Sequence, residues 1–277
     1  MSLRFQLFLF IPQPVSYLLF SLEQTSVPFN NIPFIISAFT NNSLLSFFPL
    51  FDKYIYQLCN DIESIKYSTQ HVLENFRNDG VRYLELRSTP REHFATNLTK
   101  DDYVSTVLNC IKEFGRTELS VYLLLSIDRK NTTAEADQVV DLAIKYQSHG
   151  VVGIDLCGNP SRKLGADLSP VFEKARKNGL KIALHFGEIP ESGSVEELTK
   201  LLSYQPSRLG HVIHVPDSIK KEIVTRKLGI ELCLSCNVLA GLTTGGLSNH
   251  HFGYWIDTDC PVILCVSRLI RQKLYSC

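Results

Sequence analysis

Two side chains with complementary proton chemistry stand close together after an apolar segment of the sequence. His185 lies near the end of residues 180–186 (LKIALHF), and Glu188 follows it, with Gly187 allowing the backbone to turn between them. A neutral imidazole is a common zinc ligand, and a carboxyl group can carry a proton between a water and a substrate. The pair favours hydrolytic chemistry, although His-x-x-Glu alone is a weak motif that recurs by chance.

Polar residues also follow the other apolar segments of the chain. Their positions are Arg87 to Arg91, Asp128, Asp155, Gly158, His211, His214 and Asn237. Any one of them is more often an ordinary loop residue. Because the carboxyl ends of parallel strands share one rim, the joint occurrence of His, Glu and Asp predicts a metal-assisted hydrolytic site there.

The segments that must position these residues alternate regularly between two patterns. Apolar or β-branched runs occupy residues 81–87, 120–127, 151–156, 180–186, 208–213, 229–234 and 261–266. Amphipathic helical patterns lie between most of them, at residues 100–114, 134–146, 169–177 and 195–202. This alternation predicts βαβ units with a parallel sheet, and strands so continuously apolar are typical of a (β/α)₈ barrel or a doubly wound sheet. Seven strands are predicted, where a barrel needs eight.

Composition excludes several classes of protein. The 277 residues carry no net charge, so the basic surplus of a nucleic-acid-binding protein is missing. The apolar runs are too short for a spanning helix, and eight cysteines scattered through a chain of this length do not suggest a disulfide framework. We expect a soluble, cytoplasmic globular protein with no membrane or nucleic-acid partner.

The first part of the chain differs from the rest. Residues 1–51 contain only two charged side chains, Arg4 and Glu23. Residues 1–20 could be a secretory signal, but Pro12 and Pro14 interrupt them and no clear cleavage site follows, so we favour an irregular leader. The predicted organisation is a hydrophobic leader at 1–46, a barrel domain at 47–266 and an unrelated tail at 267–277.

Six stretches of the sequence resemble the adenosine and AMP deaminase superfamily, in colinear order over roughly residues 47–266. They are GVRYLELRSTPR (80–91), GIDLCGNP (153–160), KIALHFGEIP (181–190), RLGHVIH (208–214), ELCLSCN (231–237) and HHFGYW (250–255). The resemblance implies a (β/α)₈ TIM barrel of the metal-dependent hydrolase type. In that family one Zn²⁺ activates a water that attacks C6 of a purine, an amine leaves, and inosine or IMP is formed.

The same resemblance implies roles for individual residues. His185 matches the zinc-binding histidine, Glu188 the general acid/base that protonates N1 of the purine, and His211 the histidine that orients the attacking hydroxide. Gly158 matches the glycine whose backbone N–H meets the purine, and Asp128 a ribose-side polar residue. The loop around the monophosphate in the nucleotide-using branch corresponds to Ser88, Thr89, Pro90 and Arg91, and either Arg87 or Arg91 could balance the phosphate charge. The resemblance therefore implies adenosine, AMP or N6-methyl-AMP as the substrate, and the match on the phosphate side favours a nucleotide over the nucleoside.

The sequence departs from the family pattern at both ends. No His-x-His pair exists in the chain, and Ser267 and Arg268 stand where the family has two aspartates, so only one of four zinc ligands is identifiable. Replacement ligands would have to come from His214, Cys236, His250, His251 or Asp259. We expect an incomplete barrel without its first strand and last helix, as in a truncated product or a gene prediction with wrong terminal exons. Residues 29–39 could supply a substitute strand.

Two functions of different kinds follow from these observations. The first is a zinc-dependent purine deaminase, and the second is a non-catalytic relative that binds a purine or a partner protein. The number of zinc ligands separates them, because a single imidazole does not hold Zn²⁺ in a site that needs three or four protein ligands.

Overall fold

A computed structural model describes residues 56–265 of the chain. The strands in this part are β1 (Tyr83–Ser88), β2 (Ser120–Asp128), β3 (Val151–Cys157), β4 (Lys181–Phe186), β5 (Arg208–His211), β6 (Gly229–Leu232) and β7 (Val262–Leu264). The helices are α1 (Ile62–Asn78), α2 (Lys100–Phe114), α3 (Thr133–Lys145), α4 (Ser169–Lys177), α5 (Val195–Ser203), α6 (Asp217–Thr225), α7 (Leu234–Leu239) and α8 (Phe252–Ile256). Single helical turns occupy Tyr56–Leu58, Phe94–Thr96, Gln147–His149, Pro190–Ser192 and Leu247–Asn249.

The strands form one parallel sheet whose spatial order follows the chain, from β1 through to β7. A doubly wound sheet would reverse its strand order at a switch point, and this sheet does not. The structure therefore decides between the two predicted folds in favour of an incomplete (β/α)₈ barrel. All seven predicted strands are confirmed.

Ion pairs across the interior show how strongly the sheet curls. Arg87 on β1 lies 2.6 Å from Glu231 on β6, and Arg208 on β5 lies 2.6 Å from Glu85 on β1. Four strands separate β1 from β6 along the sheet. Only a curved sheet can bring their side chains together, so these pairs lie inside a partly closed barrel.

The helix ends follow local sequence signals. Thr99 caps α2 by accepting from the backbone N–H of Asp102, and the Asp102 carboxylate accepts in return from the Thr99 backbone. This reciprocal capping box begins the helix at Lys100, where the pattern predicted over residues 100–114 also begins. Gly150 and Gly179 have φ angles of 115° and 78°, the left-handed conformation in which glycine commonly ends a helical segment before the next strand.

Some of the predictions fall outside the described residues. The domain boundary at 46/47, the tail at 267–277 and the substitute strand at 29–39 all lie there, and they stay predictions. Within residues 56–265, no helix combines the length and apolar character that a membrane span requires.

Candidate functional site

The end of β4 places His185 over the barrel interior. Its Nδ1 lies 2.9 Å from the carbonyl oxygen of Leu156 and 3.3 Å from Oδ1 of Asp155, both on β3. Burial lowers the pKa of His185, but the charge and hydrogen bond of Asp155 outweigh burial, so the pKa is raised. Burial alone would raise the pKa of Asp155, yet His185 and Arg87 lower it. Asp155 is therefore an ionised partner that fixes the orientation of the His185 ring.

Glu188 and His211 form a pair beside His185. Oε1 of Glu188 lies 3.4 Å from Nε2 of His211, and both side chains are buried. The rings of His211 and His185 are 5.4 Å apart between centroids. Burial lowers the pKa of His211, and His185 lowers it further against the opposing charge of Glu188. The carboxyl ends of β4 and β5 thus bring the two imidazoles together with the Glu188 carboxylate from the loop after β4.

The backbone after β5 is strained where it presents His211. His211 and the following Val212 have φ angles of 65° and 46°. The left-handed region is unfavourable for residues with a Cβ, and most of all for a β-branched residue such as Val. Because such strain costs about 1–3 kcal/mol per residue and concentrates at functional sites, it supports a role for His211 beyond packing.

A cleft opens to solvent next to these residues. It is lined by Arg129, Leu156, Cys157, Gly158, Pro160, His185, Phe186, Glu188 and Ser192. Gly158 has a φ of 108°, and a Cβ there would collide with the Asp128 carboxylate. The absence of a side chain at Gly158 therefore leaves its backbone accessible in the cleft wall.

The predicted phosphate loop divides into buried and accessible positions. Ser88 and Pro90 are buried, and the Ser88 hydroxyl lies 2.6 Å from the Tyr103 hydroxyl. Oγ1 of Thr89 lies 3.7 Å from Sγ of the cleft residue Cys157, while the Arg91 guanidinium stacks on the ring of Tyr56. The phosphate role of this loop stays a prediction.

Arg87 cannot serve the phosphate role suggested for it. Its side chain is only 2% exposed and pairs with Asp155 at 3.0 Å and with Glu231 at 2.6 Å. Arg208 also pairs with Glu231, at 2.9 Å, and with Glu85. These five residues are the interior network. Sequence reasoning named Arg87 and Asp155 only as polar residues at strand ends, and it missed Glu85, Arg208, Glu231 and the ion pairs among the five. The signal was present, since Glu85 and Arg87 are charged residues at alternate positions of an apolar strand and must share its interior face.

The described residues do not fit a zinc site. Within residues 56–265, no group of three or more His, Cys, Asp or Glu side chains is arranged to hold a metal ion. Three of the five suggested replacements have other partners. Both nitrogens of His250 have hydrogen-bond partners, Nε2 of His251 lies 2.6 Å from the His211 carbonyl oxygen, and Asp259 pairs with Lys227 at the surface. Burial also raises the pKa of the Cys236 thiol well above its usual range, which disfavours the thiolate that zinc binds.

We expect the purified protein to retain less than about 0.1 equivalent of zinc, because residues 56–265 offer too few ligands for a stable tetrahedral site. Metal analysis after incubation with excess Zn²⁺ and gel filtration measures the content. A full equivalent of tightly bound zinc would show that the ligand count is wrong.

The strand order and the position of the Glu188–His211 pair place the chain among TIM-barrel proteins whose chemistry lies at the carboxyl rim of the sheet. A family model described as adenosine deaminase matches residues 19–265. The chain belongs to the adenosine deaminase family, as the resemblance indicated.

Individual relatives agree with this assignment. The chain is 38% identical to an N6-methyl-AMP deaminase of Danio rerio over 224 residues, which cover 77% of this chain but 64% of that protein. The chain therefore spans less than two thirds of that relative. The crystal structure of an Arabidopsis N6-mAMP deaminase superimposes with a TM-score of 0.84 at 30% identity, covering 96% of this chain and 80% of the other. The crystal structure of an Arabidopsis relative complexed with IMP superimposes with a TM-score of 0.85 at 28% identity, and the match covers 100% of this chain and 84% of the other.

Proposed function

We propose that the cleft is a purine nucleotide site of the adenosine deaminase type, and that its ligand is AMP or N6-methyl-AMP. The main support for this proposal is the Glu188–His211 pair, in which Oε1 lies 3.4 Å from Nε2. The pair lies next to a cleft that Gly158 and His185 line. The names of the relatives support this ligand class, and so does the IMP bound to the Arabidopsis relative. We further propose a cytoplasmic monomer whose partner is this small molecule.

The reaction that fits this site is hydrolysis at C6 of the purine. The oxygen of a water adds to C6, N1 takes up a proton, and the C6–N bond breaks as the amine leaves with a proton. IMP and ammonia or methylamine are the products. Glu188 is the group that would receive the proton from the water and deliver it to N1, and the His211 ring beside it would orient the water.

Zinc would supply a more acidic water in this reaction, but the donor set around His185 does not fit the ion. We assign no step to a metal. This same observation favours a second candidate, a relative that binds the nucleotide without turning it over. Binding and turnover therefore have to be measured separately.

The experiment incubates the full chain with AMP and with N6-methyl-AMP, measures binding by calorimetry and follows IMP by chromatography. We expect saturable binding of both nucleotides and of IMP. Formation of IMP assigns the first candidate, and binding without IMP assigns the second. Lack of binding to all three nucleotides would refute the proposed site.

A Gly158→Ala substitution tests the cleft itself. We expect it to weaken nucleotide binding by about tenfold or more, which corresponds to about 1.4 kcal/mol, because the new Cβ meets Asp128 and the φ angle is unfavourable. Gly253→Ala is the matched control, since nothing lies within 4 Å of a Cβ at that position. Equal binding by the two variants would contradict this placement of the nucleotide.

A further inference from the structure

Two buried histidines are joined by one buried amide. Nδ1 of His211 lies 3.0 Å from Oδ1 of Asn237, and the Nδ2 of the same amide lies 3.2 Å from Nε2 of His250. Asn237 has no exposed surface, and His211 and His250 are 4% and 6% exposed. His250 is not one of the residues that line the cleft. Because water does not reach this amide, its N–H group must face a ring nitrogen that accepts, and its oxygen must face a ring N–H that donates.

The backbone fixes the protonation of His250. The N–H of Phe252 donates to Nδ1 of His250 at 3.0 Å, so this nitrogen carries a lone pair and no hydrogen. An imidazolium has hydrogens on both nitrogens, which means that His250 is neutral with its hydrogen on Nε2. The burial that lowers the pKa of His250 favours the same neutral form.

The hydrogen on Nε2 of His250 then decides the orientation of Asn237. If Nδ2 of the amide faced it, two N–H donors would oppose each other inside the protein. Rotation of the amide by half a turn places Oδ1 against His250, where it accepts this hydrogen. The amide nitrogen then faces His211 and donates to its Nδ1.

The opposite orientation of the Asn237 amide is unfavourable at both His211 and His250. With Oδ1 facing His211, the hydrogen of that ring would sit on Nδ1, and the lone pair of Nε2 would face the Glu188 carboxylate. A lone pair would repel a carboxylate there, and two donors would oppose each other at His250. The rotated amide instead converts both contacts into hydrogen bonds, and buried polar groups are rarely left unmatched.

We propose that His250 is a positioning residue, which acts through Asn237 to keep the hydrogen of neutral His211 on Nε2, pointing at Glu188. The tautomer itself does not depend on the proposed function, and only its consequence for catalysis rests on that function. In this tautomer His211 offers an N–H to the carboxylate or to a water, and it has no lone pair on the side that faces Glu188. Glu188 is then the group that accepts the proton, and His211 orients the carboxylate or the water by donating a hydrogen bond from Nε2.

The test reads the tautomer directly, by long-range ¹H–¹⁵N NMR of the full chain labelled with ¹⁵N-histidine and kept at a pH where the rings are neutral. Single His→Gln variants assign the signals of His211 and His250. We expect each ring to show a protonated Nε2 and an unprotonated Nδ1. A hydrogen on Nδ1 of His211 in the unmodified protein would overturn the proposal.

Two variants separate this role from simple packing. Asn237→Asp keeps the shape, but its carboxylate can only accept, so the hydrogen of His211 should move to Nδ1. His250→Phe frees the amide to adopt both orientations, so signals of both His211 tautomers should appear. The exposed Asn249→Asp, which adds the same charge nearby, should leave the His211 tautomer unchanged.

An unchanged His211 tautomer in Asn237→Asp or in His250→Phe would overturn the proposal. If Asn237→Asp does not fold, the unmodified protein and His250→Phe still decide the result. The spectra need no nucleotide, so a chain that forms no IMP but shows the expected tautomers would refute the deaminase activity and leave the inferred role of His250 standing.

Discussion

An Arg87→Met substitution is expected to lower the free energy of unfolding by about 3 kcal/mol. Loss of one partner from a buried ion pair costs about 3–5 kcal/mol, because the remaining charge stays in the interior without compensation. Here Asp155 retains His185 and Glu231 retains Arg208, so we expect the lower end of this range. Methionine fills a similar space, which keeps the packing contribution small.

Urea unfolding followed by circular dichroism measures this loss. Arg77→Met is the matched control, because Arg77 pairs with Glu118 at 3.6 Å with both side chains at least 40% exposed. An exposed pair contributes at most about 1 kcal/mol. A loss in Arg87→Met no larger than in the control would mean that the interior network contributes little to stability.

The pH dependence of this loss has a definite sign. The folded state lowers the pKa of Asp155, against the opposing effect of burial, through the charges of His185 and Arg87. The resulting stabilisation is present above the unfolded pKa of about 3.9 and is lost as the pH falls through the lower folded value. Since Arg87→Met removes part of it, the difference between variant and unmodified protein should shrink as the pH falls below about 4.

The interior network also marks the limit of what the sequence could predict. The strands and helices follow from local patterns, such as the continuous apolar run of β2 and the capping residues at the start of α2. The partners of Arg87, by contrast, lie 68 and 144 positions further along the chain. Periodicity places a charge on the interior face of a strand, but only the curvature of the sheet determines which opposite charge it meets.

In the candidate site, too, some residues could be predicted from the local sequence and others depend on tertiary contacts. The proximity of His185, Glu188 and His211 is predictable because each lies at or just after the carboxyl end of a strand, and parallel strands bring these ends together. Asn237 was predicted only as a polar strand-end residue, and His250 only as a substitute zinc ligand. Their connection to His211 depends on one amide between two rings, a contact set by how the segment after β6 folds back over β5. No spacing in the sequence encodes that contact.

A Glu188→Gln substitution is expected to reduce IMP formation by about 10²–10⁴-fold while nucleotide binding changes by less than about threefold, since general acid–base catalysis contributes a factor of that size. Glutamine keeps the shape and can still accept a hydrogen bond from Nε2 of His211, 3.4 Å away in the unmodified protein. It cannot take a proton from water or deliver one to N1 of a purine.

Glu191→Gln is the matched control for this substitution, because Glu191 is an exposed carboxylate three residues further along the same loop. Product formation at saturating N6-methyl-AMP and binding of IMP by calorimetry separate turnover from affinity in all three proteins. A Glu188→Gln protein that forms IMP at the rate of the control would show that the proton moves through another group. A variant that loses binding and turnover together would show instead that Glu188 holds the nucleotide rather than transferring its proton.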